Sequence, residues 1–261
     1  MSFLVKGGIT QLILFFIIVI PFAYYLYLMR KGKKLPEMRD FPPLKALDDG
    51  IDRCLEMGRP FLYVMGMMAT VRGEFAGGVI AVLSLLRVLA RRCFEKNVRV
   101  IVVPGGAADE TVPMLDTLLK ESALEIGKPE MYKTERDLVY LGRAYSAELV
   151  NLIEVEKPGC TANVGVIGGP DMIAWEPVHR NDSLLVGGTH RLVQCGCVAV
   201  AADYALICDE VYAACAAASG NKDLISTALS GDLAKYVLIA ICIIGIILGF
   251  MGMDVTKIFG V

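Results

Sequence analysis

The chain has 261 residues, 55% of them hydrophobic and 21% charged, with 26 Lys and Arg against 28 Asp and Glu. A nearly neutral balance leaves no electrostatic footprint for nucleic acid, which excludes that class of partner. The charged fraction is that of an ordinary soluble domain, so the apolar excess must be local.

It is concentrated in two runs, Ile9 to Met29 and Tyr236 to Met253, neither of which contains a charged residue. At about 1.5 Å per residue, either run can cross a hydrocarbon core of roughly 30 Å. The first is too long for the apolar part of a cleaved signal and is followed by no small-x-small cleavage site, so it reads as an uncleaved anchor. Arg30, Lys31, Lys33 and Lys34 follow it and only Lys6 precedes it. The positive-inside rule then places the middle of the chain in the cytoplasm and both termini outside, with the lipid bilayer as a partner. The expected organisation is an anchor at 1–29, a basic, Pro-containing linker at 30–43, a cytoplasmic domain at 44–232, and a second transmembrane helix with a short tail at 233–261.

Between the spans, helical periodicity alternates with short β-rich runs. This pattern predicts an α/β fold with a single doubly wound, mostly parallel, Rossmann-like sheet of about five or six strands. Leu44, Leu47, Ile51, Leu55 and Gly58 share one face of a helix that Pro43 can start. Phe61 to Met65 reads as a strand and Gly66 to Ala76 as a loop. Phe75, Val79, Val82, Leu86, Leu89 and Cys93 line a long helix that is too short in its apolar part, and too charged at Arg72, Glu74 and Arg87, to span lipid. Val98 to Val103 is a strand, Asp109 to Leu124 a helix, Leu138 to Leu141 a short strand and Ala144 to Val155 a helix. Ala162 to Ile167 is a strand. Further segments follow at Met172 to Val178, Leu184 to Val186, Leu192 to Ala202, Ala205 to Cys208 and Val211 to Ala218. A helix at Asp223 to Ser230 runs directly into the second span.

Glycine turns follow two strands, at Gly105-Gly106 and Gly168-Gly169, the places where a parallel sheet can present a helix N-terminus to phosphate. Neither completes a nucleotide-binding motif, and Asp109, Glu110 and Asp171 at the next helix starts would repel an anion, so acidic capping is the stronger account. His190, Cys195, Cys197, Cys208 and Cys215 lack the spacing of a closed metal site, so no metal is expected and the cysteines read as small buried hydrophobes. No cofactor motif is complete. Asp209 and Glu210 fit a helix cap and its first turn better than an acid/base pair. Trp175, the only tryptophan, reads as core or as an interface anchor. Gly245 and Gly249 form a G-x-x-x-G pair in the second span, which favours helix association with the first span or with another subunit.

Thr161-Ala162-Asn163-Val164-Gly165, Gly187-Gly188-Thr189 and the run Asp203 to Ala214 resemble the pattern of domain-of-unknown-function family 6754. So does the stretch from Pro43 to Pro60, and the resemblance extends from about Phe41 to Tyr236. Met172 to Glu176 departs from that pattern. The resemblance implies a membrane-associated α/β protein and supplies no catalytic residues.

The function expected on these grounds is a membrane-anchored, self-associating structural or scaffold protein, a homo-oligomer or part of a larger membrane complex, with Gly245 and Gly249 in the association face. The alternative is a small-ligand-binding or sensing module using Gly105, Gly106, Gly168, Gly169 and Thr189. An enzyme would need a cleft that unites Asp203, Glu210 and His190.

Overall fold

Short apolar runs such as Phe61–Val64 and Val100–Val103 are buried at every position and form strands of the sheet, whereas Cys160–Gly165 is buried although it carries Thr161 and Asn163, and Tyr204–Ile207 is only partly covered. The computed structural model describes residues 8–33, 36, 38–106 and 109–250. Two units emerge: Met1–Met38 with Gly220–Val261, and Arg39–Ser219. In chain order the elements begin with α1 (Gly8–Arg30), α2 (Pro42–Met57), β1 (Phe61–Val64), α3 (Ala76–Glu95), β2 (Val100–Val103), α4 (Thr111–Glu125), α5 (Thr134–Asp137) and α6 (Tyr145–Glu156). They continue with β3 (Cys160–Gly165), α7 (Gly169–Ile173), α8 (Trp175–Arg180), β4 (Leu184–Thr189), α9 (Leu192–Ala201), β5 (Tyr204–Ile207), α10 (Asp209–Ser219) and α11 (Lys222–Phe250).

In the second unit all five strands are parallel, in the order β2-β1-β3-β4-β5. The chain steps to one side of β1 to make β2, then returns to the other side for β3, so the direction of winding reverses between β1 and β3. Alternate strand residues face opposite layers. Leu62, Val64, Ile101, Val103 and Leu185 pack with Tyr145, Leu149 and Ile153 of α6, Trp175 and Val178 of α8 and Val198 of α9. On the other face the Tyr63 hydroxyl donates to the Val82 carbonyl of α3 at 3.0 Å, and α2 presses Gly50 against Cys160, where an added Cβ would stand 2.5 Å from the sulfur.

That close approach rotates α2 relative to the sequence expectation. Its buried face is Ala46, Leu47, Gly50, Ile51 and Cys54, while Leu55 is exposed. Gly58, expected on the face of the helix, instead closes it, adopting φ +63° and returning its N–H to the last turn. The strand expected at Leu138 to Leu141 is reduced to one bridge, Val102 to Leu138, since α5 occupies the residues before it and the 3-10 turn Gly142–Ala144 those after. Met172 to Val178 is divided into α7 and α8, because Pro177 lacks the N–H that would bond the Ile173 carbonyl. Trp175 is core. Five cysteines are buried, Cys208 is half-buried, Cys197 and Cys242 are exposed, and all eight are free.

In the first unit α1 and α11 pack together, with Ile13, Ile17, Pro21, Tyr24, Leu233 and Val237 among the residues around an apolar groove. α11 is unbroken from Lys222 to Phe250, as the sequence reading of a helix feeding the second run requires. Among the described residues three helices are long and apolar enough to cross a membrane: Gln11–Arg30, Gly73–Glu95 and Lys222–Phe250. Half of the middle one's apolar window is buried within the protein, against 6% for each of the others. Phe15, Ile18, Ile20, Ile239, Ile243 and Ile246 of the outer two are exposed, an arrangement that water disfavours and hydrocarbon accepts. Lys6 and Lys34, which set the expected orientation, and Met251 to Met253 at the end of the second run lie outside the described residues.

Candidate functional site

The natural place for a ligand in a parallel sheet is the crevice at the strand ends where winding reverses, here between β1 and β3. The chain's own loop fills it. Met65 donates to the Val103 carbonyl at 3.1 Å, Val166 donates to Met65 at 3.1 Å, and Met68 donates to Val166 at 3.4 Å. Gly66, at φ +84°, makes this possible, since a Cβ there would stand 2.5 Å from the Val166 backbone.

Asp171 locks the arrangement from below. One carboxylate oxygen accepts from the backbone of Gly168 at 2.8 Å and Met67 at 3.0 Å, and the other from the Tyr145 hydroxyl at 2.5 Å. Burial raises its pKa above the ordinary carboxylate value, opposed by these bonds. Burial, then the neighbouring carboxylate, pushes Tyr145 well above the ordinary phenol range, which keeps it a donor. Asn163 completes the layer. With its amide nitrogen on the Val64 carbonyl at 3.3 Å and its oxygen on Trp175 Nε1 at 3.0 Å both ends are satisfied, whereas the opposite orientation leaves one 3.4 Å bond to Asp171.

The glycines singled out in the sequence fall into this frame unequally. At Gly105 an added Cβ would stand 2.7 Å from Ala69 N, Gly66 O and Met67 O, and at Gly106 it would stand 2.9 Å from Gly142 O and Tyr145 Cβ. Both are required by packing of the chain on itself. Gly168 would meet only ordinary contact at 3.5 Å, and Gly169 faces open space. Thr189 is fully buried at the end of β4. Its hydroxyl accepts the Arg191 N–H at 3.2 Å and its carbonyl the Cys208 N–H at 2.8 Å.

The parallel sheet keeps His190 apart from Asp203, whereas Asp203 and Glu210 line one cavity along β5 together with Arg39 and Pro43. Asp203 precedes β5 and accepts the Leu185 N–H at the start of β4, at 2.8 Å, while His190 follows the end of β4. Glu210, in the first turn of α10 as expected, accepts the Ile207 N–H at 3.1 Å and pairs with Arg39, whereas Asp209, expected as the cap, is the first residue of the helix. His190 packs between Phe75 and Tyr212, with ring centroids 6.5 and 5.7 Å away, and neither ring nitrogen has a hydrogen-bond partner. Burial, then Arg191, lowers its pKa and favours the neutral ring. Sequence reasoning missed both this histidine's setting and the role of Asp171 beyond its cap, because each depends on partners far away in the chain. Among the described residues no three His, Cys, Asp or Glu side chains gather as a metal site would require.

Beside β5, which is an edge strand, the outer face of α9 is apolar and uncharged. Leu192, Val193 and Val200 are 79%, 82% and 89% exposed, with Gly196 and Cys197 between them.

A five-strand parallel α/β domain in a chain with apolar helices that can cross a membrane defines an α/β protein compatible with a membrane location. The chain belongs to the family described as Domain of unknown function (DUF6754), whose model matches residues 2–259 and so takes in both apolar runs as well as the α/β domain. No curated protein and no solved structure matches it.

Proposed function

We propose that the protein is a membrane-anchored scaffold, in which α1 and α11 span the bilayer and the doubly wound, Rossmann-like α/β domain assembles with copies of itself on the cytoplasmic side. The observation that carries this reading is the outer face of α9. A charge-free helix that leaves Leu192, Val193 and Val200 in water has the character of an association surface rather than of a solvated one. The filled crevice between β1 and β3 supports it indirectly, because the usual ligand position in such a sheet is taken by the chain itself. Gly245 and Gly249 add to it. Among the described residues nothing lies within 4 Å of a Cβ built at either position, which leaves space for a helix of another subunit.

The test is the mass of the full-length protein released gently from membranes, with small molecules detected on the same particle. A defined oligomer that V193D/V200D reduces to smaller species is the expected result. A strictly monomeric particle, or one carrying a stoichiometric small molecule, would overturn the scaffold in favour of a sensing module.

A further inference from the structure

Two thiols thirteen residues apart meet at the ends of β4 and β5, with Cys195 Sγ and Cys208 Sγ separated by 3.0 Å. The gap is about 1 Å longer than the ~2.05 Å of a disulfide bond. Thr189 holds both: the β4–β5 register pairs it with Ile207, immediately before Cys208. Its carbonyl accepts the Cys208 N–H at 2.8 Å and faces the Cys195 thiol at 3.9 Å. The Cys195 thiol also points at the Arg191 carbonyl, 3.3 Å away.

The backbone at this point is unusual. Cys208 has φ +52°, in the left-handed region that costs a side chain about 1–2 kcal/mol. Among the described residues the other non-glycine positions of this kind are Asn97, Lys157 and Asp182. Those three follow the ends of α3, α6 and α8, where a left-handed residue commonly closes a helix. Cys208 instead precedes α10, where no such cap is needed, and its strain coincides with the meeting of the sulfurs. Of the other domain thiols, Cys54, Cys93, Cys160 and Cys215 are buried, as Cys195 is, and Cys197 is exposed. What sets Cys195 apart is its sulfur–sulfur contact with Cys208. Cys208 is half-buried and reachable.

We propose that Cys195 and Cys208 form a redox-active dithiol, closed to a disulfide by a hydroperoxide and reopened by a small thiol. The Cys208 sulfur attacks the peroxide and the O–O bond breaks. Cys208 becomes a sulfenic acid while the other oxygen takes the Cys208 proton and leaves as water when the oxidant is hydrogen peroxide, or as an alcohol from an organic hydroperoxide. The Cys195 sulfur then attacks Cys208 Sγ. An S–S bond forms, the S–O bond breaks, and the departing hydroxide takes the Cys195 proton to give water. Each sulfur has lost one electron and the peroxide has gained two. Two molecules of a small thiol reverse the change by exchange, leaving as their own disulfide. The hydrogen bond with Cys195, then burial, pushes Cys208 up to about 11.

The proposal is independent of self-association and is tested on the full-length protein in detergent, reduced and then freed of reductant. After treatment with hydrogen peroxide, thiols are alkylated under denaturing conditions and the intact mass is read. The expected result is two fewer alkylations than the eight of the untreated protein, a Cys195–Cys208 cross-linked peptide on digestion, and recovery of all eight on adding glutathione. C195S should instead accumulate a sulfenic acid at Cys208, trapped by a dione reagent, with Trp175 fluorescence confirming that the variant is folded. Eight alkylations after peroxide would overturn the proposal, and so would a disulfide between any other pair or oxidation to sulfinic acid without cross-linking. The wild-type measurement decides the matter even where a variant fails to fold.

Discussion

At Gly105 in the α/β unit an added methyl group would lie 2.7 Å from three backbone atoms, whereas at Gly245 and Gly249 in α11 it would meet no described residue within 4 Å. The same residue type thus serves two ends. In the α/β unit it lets loops cross at distances no side chain would allow. In the apolar helix it leaves a flat, unfilled strip on a surface made of Ile and Leu. A glycine turn after a strand is therefore evidence for a ligand only when the chain has not already used the space. The two units differ in charge as well. The α/β unit buries Asp137 completely, between Arg99 at 2.9 Å and Arg136 at 2.7 Å, while α1 and the apolar run of α11 contain no charged residue before Arg30 and after Lys235.

The largest expected effect comes from breaking the crowded side of this comparison. Gly105→Ala should destabilise the α/β unit by about 3 kcal/mol, because the obstructing atoms are backbone and cannot rotate aside. In a unit of this size that lowers the unfolding midpoint by roughly 10 °C. The buried Trp175 reports it by fluorescence, and an unchanged midpoint would mean that the loop yields and the crevice can open.

Asp137→Asn should cost about 2 kcal/mol, less than for a wholly buried pair because Arg99 and Arg136 keep partial contact with water. Burial raises the Asp137 pKa, but the bonds from Arg136 and Arg99 outweigh it and hold the carboxyl below its ordinary value. A folded-state pKa below the unfolded value of about 3.9 contributes stability that is fully present above that value and lost as pH falls through the lowered one. The variant should lack this acid-side loss in urea titrations followed below about pH 4.

Asp171→Asn should cost about 1 kcal/mol, since an amide oxygen can still accept from Gly168 and Met67. Its pH signature has the opposite sign. The folded-state pKa is raised, so this group's contribution is fully present below the unfolded value and lost as pH rises through the raised one. The same titrations should show the wild type losing stability relative to the variant as pH rises above about 4.

The smallest effect on folding belongs to the open side. Replacing Gly245 and Gly249 by Leu should change the Trp175-monitored midpoint by less than about 0.5 kcal/mol equivalent, yet lower the mass of the solubilised particle. An unaltered particle mass would remove these glycines from the association surface and leave α9 to carry it.

Elements whose signal repeats along the chain could be read from it directly. The apolar runs, the α3 stripe from Val79 to Cys93, the acidic cap at Asp171, the first-turn place of Glu210 and the continuity of α11 all depend on residues within a few positions of one another. The parallel sheet followed from the same kind of pattern, as strands buried on both faces carry no polar alternation. Tertiary structure alone decided the strand order β2-β1-β3-β4-β5, the closure of the crevice by Gly66 to Ala69, the rotation of α2 toward Gly50 and Cys160, and the reduction of Leu138 to a bridge. It also decided that Asp203 and His190 stand at opposite ends of the sheet while Cys195 and Cys208 touch. Local periodicity reflects which face of an element must leave water, but how closely two elements approach, and which loops share a strand end, depends on contacts between residues that the chain itself keeps far apart.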